Sequence, residues 1–230
     1  MTATSSAAVS ADPVSVAVRS IHAMADGDRA DFDLLYHPRA VDRENQVQPP
    51  SSRVPGPAGF YATALWLRAG FAGLHYDIHH AVADGNLVVV NSTMNGRHAA
   101  PWAVYTDDGA VDTVFPPTGK TFAMTQSHWF RIENGTVIEH WANRDDLGVG
   151  KQLGWVPPTP AYLIKMARAK RRAKRSAGLP WQTRAGQGAV LAGVVAGMTG
   201  QALSSRGWTS SVTTSVSGRV TARRPLAVCQ

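Results

Sequence analysis

The chain is poor in cysteine: one residue, Cys229, in 230. That excludes an internal disulfide framework, and its distance in sequence from every histidine argues against a thiol nucleophile or a cysteine metal site. Long apolar runs are also lacking. The most apolar stretch, residues 188–203, is broken by Gly193, Gly197, Thr199, Gly200 and Gln201 and is shorter than the ~20 residues that span a bilayer. Residues 1–18 have no basic segment leading into an apolar run, so no signal peptide is expected and a cytoplasmic location is. Acidic residues are missing from residue 147 onward. Residues 1–146 hold 10 Lys+Arg and 16 Asp+Glu, whereas residues 147–230 hold 13 Lys+Arg and no acid. The formal charge of +7 and pI near 10.0 therefore average an acidic body and a basic tail. Such a pI invites a nucleic-acid reading, but the basic run Lys165, Arg168, Lys170, Arg171, Arg172, Lys174, Arg175 contains no stacking aromatic. A solvated helix explains it, and nucleic acid is not the expected partner. All eight histidines lie in the body, which is where neutral-pH acid–base chemistry is confined.

What is present reads as helices first and strands after. Asp12-Pro13 opens a helix carrying Val14, Val18, Ile21 and Met24 at helical spacing, and Gly27 ends it. Short and longer helices are expected over 29–36 and 58–69, separated by a proline-rich loop over 46–57. Strands are expected over 74–82 and 87–94, joined by Asp84-Gly85, and over 121–132 and 137–145, joined by Asn134-Gly135. Residues 99–118 read as a long loop. The fold class is α+β, helices against one antiparallel sheet.

Two-residue turns set register. With Asn134-Gly135 as the turn, His128 faces Trp141, Gln126 faces Asn143 and Met124 faces Asp145. Strand alternation then puts Met124, Gln126, His128, Trp141, Asn143 and Asp145 on one face, with Thr125, Ser127, Trp129, His140 and Arg144 on the other. Polar groups on a sheet face that ought to be apolar suggest a pocket, because an unpaired buried polar group costs ~1–3 kcal/mol and burial raises a carboxyl toward neutral pH. The alternatives are that these groups bond one another and stitch the sheet, and that Asp145 is an exposed strand end capping the next helix. In the first hairpin the same reasoning groups His75, His79, Ser92, Met94 and His98. The histidine spacing does not converge on a metal, and none is expected.

The run from Phe115 to Gly154 resembles the SnoaL-like polyketide cyclases (ester cyclases) of the nuclear transport factor 2-like superfamily. It is carried by Pro117-Thr118-Gly119-Lys120, Arg131-Ile132-Glu133-Asn134-Gly135, Glu139-His140-Trp141-Ala142-Asn143-Arg144-Asp145, Leu147-Gly148 and Gln152-Leu153-Gly154, with Gly96-Arg97-His98 at an earlier strand end. The resemblance covers about residues 14–154. It implies a cone-shaped curved antiparallel sheet wrapped by N-terminal helices around a central pocket, followed here by a basic C-terminal helix and tail. It further implies cofactor-free, metal-free intramolecular aldol closure of a polyketide methyl ester, with the acid/base at Asp145, four residues after the motif tryptophan. His128 is the second catalytic candidate, and Gln126, Asn143, Trp141, His98 and Met124 are the expected substrate contacts. Arg97 replaces the usual threonine of that strand end.

The expected layout is a disordered N-terminus (1–12), a cone domain (13–156), a proline linker with a basic helix (157–183) and a disordered tail (184–230). The expected partners are a small-molecule substrate and a second copy of the chain, the pairing being implied by the resemblance. Other chemistries remain open at this point: an epoxide hydrolase, using two carboxylates and an arginine such as Arg97, a dehydratase, an isomerase, or a binding module without catalysis.

Overall fold

A computed structural model describes residues 12–175. The expectations of disorder at the N-terminus and over 184–230, and the apolar stretch 188–203, lie outside the described residues. Helix α1 spans Pro13–Asp26, with the Asp12 carboxylate accepting from the Ser15 amide at 3.0 Å. Helix α2, Arg29–Leu35, begins in a capping box: Asp28 and Asp31 each accept the other's backbone N–H. Strand β1, Tyr36–Asp42, follows without a loop. After one 3₁₀ turn at Pro50–Ser52 comes α3, Pro57–Gly70. The sheet continues with β2 (Phe71–Asp84), β3 (Leu87–His98), β6 (Thr121–Glu133) and β7 (Thr136–Arg144), and helix α4 (Asp146–Leu153) closes it.

The order across the sheet is β1-β7-β6-β3-β2, with β1 parallel to β7 and every other pair antiparallel. The helices cover its concave face, giving the curved α+β layout expected from the sequence. The stretch 99–118 is not one long loop. It holds a hairpin of β4 (Trp102–Tyr105) and β5 (Val111–Phe115), separate from the main sheet. Helix α5, Pro160–Arg175, packs on β5 and contributes Ala173 to a small core with Ala103, Tyr105 and Val114. Among the described residues no helix is long and apolar enough to cross a membrane.

Two irregularities decide which side chains face the interior. Residues Phe122, Met124, Gln126, His128, Phe130 and Ile132 of β6 are all buried, as strict alternation requires. In β7 alternation breaks. Ile132 pairs with Val137, but Arg131 pairs with Glu139, so Ile138 is an extra residue. Such a bulge inverts the parity of the strand beyond it. His128 therefore pairs with Ala142, Gln126 with Arg144 and Ser127 with Asn143. The simple register would have put Glu139 beside Phe130 in the core, whereas the bulge moves it outward to Arg131 and Arg43.

The first hairpin departs similarly. Its turn is Gly85-Asn86, since Asp84 pairs with Leu87, and shifts follow between Ala72 and His75 and between Ile78 and His80. Ser92, Met94 and His98 are buried while His75 and His79 are exposed.

Helix α3 approaches the preceding turn closely. A Cβ on Gly59 would lie 2.0 Å from the Val54 carbonyl oxygen, a backbone atom that cannot swing aside. Gly59→Ala is therefore expected to destabilise the protein by about 1–3 kcal/mol, seen as a lower urea midpoint in equilibrium unfolding. An unchanged midpoint would contradict this packing.

Candidate active site

The concave side of the sheet, α1, α3, α4 and the β4–β5 hairpin enclose a cavity of about 490 Å³. Most of its wall is apolar. One end is aromatic: Trp66 stacks on Trp102 at 4.6 Å, Trp102 on Trp155 at 5.6 Å, and Trp155 on Phe115 at 4.2 Å. Trp66 is fixed by donating Nε1–H to the Ala103 carbonyl at 2.9 Å. The Trp102 Nε1 is buried without a hydrogen-bond partner among the described residues.

The other end is polar and is built from four elements. β6 supplies Gln126 and His128, β7 supplies His140 and Arg144, β1 ends in Asp42, and the chain after β1 carries Glu44 and Gln48. Parallel pairing sets Asp42 directly beside His140. Asp42 Oδ1 lies 3.1 Å from His140 Nδ1, and His140 Nε2 lies 2.9 Å from His128 Nδ1. Asp42 also accepts from the Glu44 amide at 3.1 Å and from Gln48 Nε2 at 3.3 Å. Gln48 is oriented in turn by the Thr63 hydroxyl, 2.6 Å from its Oε1. Arg144 donates to Glu44 at 3.0 Å.

The free polar atoms are as informative as the bonded ones. Among the described residues His128 Nε2 and Gln126 Nε2 are buried with no hydrogen-bond partner, although native structures pair most such groups.

The electrostatics follow from burial. Desolvation, with His140 and Arg144 adding to it, holds the His128 imidazole well below its usual range and so neutral. Burial pushes the Asp42 carboxyl up, but His140, the Glu44 amide and Arg144 outweigh it and leave Asp42 below the usual range, as an anion. The Asp146 carboxyl, at the start of α4 and also on the cavity wall, is raised mainly by burial; Arg144 opposes the rise, and Glu44 and Asp145 add to it. Tyr36 and Tyr76, whose rings line the wall, are pushed up by burial and stay neutral.

Of the residues singled out from sequence, the structure brings Met124, Gln126 and His128 to the cavity. It does not bring Trp141, Asn143 or Asp145 there, and the register expected for them is corrected by the extra residue in β7. Trp141 lies on the outer face, stacked on Trp129 at 5.9 Å. Asn143 is exposed opposite Ser127. Asp145 is exposed and caps α4, accepting the Gly148 amide at 2.8 Å. His98 is fully buried behind the aromatic end, against Phe71 and Trp155, and is not on the wall. Arg97 lines a separate, open surface groove.

Asp42, Glu44, His140 and Arg144 were missed. For His140 and Arg144 the signal was Glu139, whose charge forbids the simple register. For Asp42 and Glu44 it was absent, because β1 holds Pro38 and follows directly on the helix expected over 29–36. Among the described residues no group of three or more His, Cys, Asp or Glu side chains is placed to hold a metal ion.

Comparison with known proteins agrees with this fold. The family described as SnoaL-like polyketide cyclase matches residues 16–153. The chain is 30% identical over 106 residues to aklanonic acid methyl ester cyclase DnrD of Streptomyces peucetius, a match covering 46% of this chain and 66% of that protein, just under two thirds of it. It is 28% identical over 136 residues to aklanonic acid methyl ester cyclase DauD of Streptomyces sp. (strain C5), covering 58% of this chain and 74% of that one. The solved structure of TsrD from Streptomyces laurentii shares the fold, with a TM-score of 0.50 at 24% identity, covering 61% of this chain and 92% of that one.

Burial pushes His98 down to about 4, against slight upward pulls from the Ala100 and Phe115 backbone. The folded state thus resists protonating His98 where the unfolded chain accepts it. Stability is complete above the ordinary value of 6.5 and is lost as pH falls toward 4. Urea midpoints measured across that window should decline, and less steeply in His98→Asn; an equal slope in both proteins would contradict this.

Proposed function

Because the chain belongs to the SnoaL-like polyketide cyclase family, we propose that its cavity closes a ring in a polyketide-like methyl ester by cofactor-free, intramolecular aldol addition. The observation that carries this reading is the unpartnered Nε2 of His128, beside the unpartnered amide of Gln126, in a cavity of about 490 Å³ with an otherwise mostly apolar wall. His128 is neutral and so able to accept a proton. It takes one from a carbon flanked by two carbonyls, whose C–H electrons become an enolate. The enolate carbon attacks a second carbonyl of the same molecule, one C–C bond forms, and the new alkoxide recovers the proton from His128. The Gln126 amide donates to the developing oxyanion. The folded substrate supplies proximity, and the stacked tryptophans supply a flat apolar wall for a planar, conjugated body. His128 here takes the acid/base role that the motif alone assigned to Asp145.

One observation favours a second reading. Arg144, held by Glu44, shares the cavity wall with Asp42 and Asp146, and carboxylates around an arginine suit activation of water for hydrolysis. Label from ¹⁸O-water in the product would mark hydrolysis, because aldol closure takes no solvent oxygen. Pairing of two copies through the outer sheet face, where Trp129 and Trp141 stack, belongs to the same proposal. Sedimentation equilibrium should show a dimer, and a monomer would remove this part of it.

With a polyketide methyl ester as substrate, His128→Asn should lower kcat about 10²–10⁴-fold. Asp145→Asn should stay near the parent rate, because asparagine caps a helix as well as aspartate. Loss of turnover in Asp145→Asn with retention in His128→Asn would reverse the assignment.

A further inference from the structure

His128 does not stand alone. Its Nδ1 meets His140 Nε2 at 2.9 Å, and His140 Nδ1 meets Asp42 Oδ1 at 3.1 Å. Each contact needs one donor and one acceptor. An ionised carboxylate can only accept, so His140 carries its proton on Nδ1. With one proton on His140, its Nε2 is a lone pair and must accept from His128 Nδ1–H. His128 then has no proton left for Nε2. While His140 is neutral, the tautomer of His128 is thus set by a carboxylate one ring away. A free neutral imidazole is under no such constraint.

We propose that Asp42, His140 and His128 form a two-imidazole proton relay, in which Asp42 and His140 are positioning residues that keep the Nε2 of His128 bare. The inference rests on the ring-closure reading for its chemistry and on the contacts above for its geometry. When Nε2 takes the substrate proton, His128 becomes an imidazolium. Its Nδ1 proton passes to His140 Nε2, leaving His128 neutral with its proton on Nε2. His140 is then the cation, with both nitrogens protonated, next to the Asp42 anion. One proton has entered, one positive charge has moved from ring to ring, and the enolate keeps the electron pair. Return of the proton to the alkoxide runs the same steps backward.

The surroundings suit this role. Asp42 is buried yet has three further aids to its charge: the Glu44 amide, Gln48 Nε2 and the nearby Arg144. The charged and titratable groups that share the cavity wall with the two imidazoles are Asp42 from β1, Glu44 after it, Arg144 from β7, Asp146 from α4, and the neutral Tyr36 and Tyr76. Arg144 is already paired with Glu44. The rings are fixed by packing as well: His140 lies edge-on to Phe60 at 6.1 Å, and His128 is parallel to Phe130 at 6.1 Å. Position 142, which pairs with His128 across the strands, is an alanine, so no carboxylate reaches His128 directly from β7.

The test is ¹⁵N–¹H NMR of the imidazoles in the full-length, wild-type protein, where two-bond couplings show which nitrogen bears the proton. The expected result is His128 protonated on Nδ1 and bare on Nε2; a proton on His128 Nε2 overturns the relay without any variant or substrate. Two variants extend it. His140→Phe removes the acceptor of Nδ1, and the His128 proton should move to Nε2; an unchanged tautomer overturns the proposal. Asp42→Asn removes the anion that balances His140 and should lower kcat about 100-fold with KM little changed, and parent-like kcat overturns the proposal. If His128→Asn alone kept full turnover, the ring-closure reading would fail while the tautomer measurement still judged the relay.

Discussion

A carboxylate carried under an apolar cavity loses its water, and the cost is several kcal/mol unless donors replace that water. Asp42 meets this condition with the His140 imidazole, the Glu44 amide and the Gln48 side chain. Much of the polar end depends on that solution. Gln48 is held by Thr63 of α3, and the Gln48 carbonyl holds Arg53, which also reaches the Thr106 and Asp107 carbonyls beyond β4. A chain of hydrogen bonds thus runs from the buried anion to the hairpin that closes the cavity. Removing the anion would leave donors without acceptors in several elements at once, which is where large destabilisation originates.

Most of the fold was legible. Asp12-Pro13, the Gly27 stop, the four strands of two hairpins and the α+β class all follow from caps, turns and periodicity, because these are local signals. Met124, Gln126 and His128 were placed on one face because β6 alternates without interruption. What failed was parity in β7. A single extra residue at Ile138 exchanges Trp141, Asn143 and Asp145 for His140, Ala142 and Arg144. The hint lay in Glu139, which a regular hairpin would have buried. β1 could not be read, since Pro38 and a helix running straight into it mask a strand whose pairing partner, β7, lies far along the sequence. The hairpin β4–β5 was hidden by prolines and aspartates that looked like loop.

The motif that carries the resemblance lies at the β7–α4 junction, and in sequence its aspartate fits either an acid/base or a helix cap. Asp145 accepts the Gly148 amide, and a Cβ on Gly148 would meet the Asp145 carboxylate at 2.0 Å. An aspartate followed at three residues by glycine is thus explained by the helix start alone. The basic end of the chain divides in the same way. Within α5, Tyr162 donates to the Pro116 carbonyl at 2.9 Å and Lys170 lies 3.7 Å from Asp112. Part of the positive charge therefore serves to seat the helix against the hairpin behind the aromatic wall.

The contact between Asp42 and His140 spans 98 residues of sequence, and it lies in the seam where β1 joins β7. Antiparallel neighbours such as β6 and β7 can zip from their turn, but a parallel seam between distant segments must wait for a large loop to close. The sheet can thus assemble as two hairpins, with His128 and His140 already adjacent, before the carboxylate arrives. Until β1 docks, the imidazole pair would lack the Asp42 anion that bonds His140. A β1 strand that docked last would bring the one carboxylate that bonds His140, so that completeness of folding and completeness of the polar end would coincide.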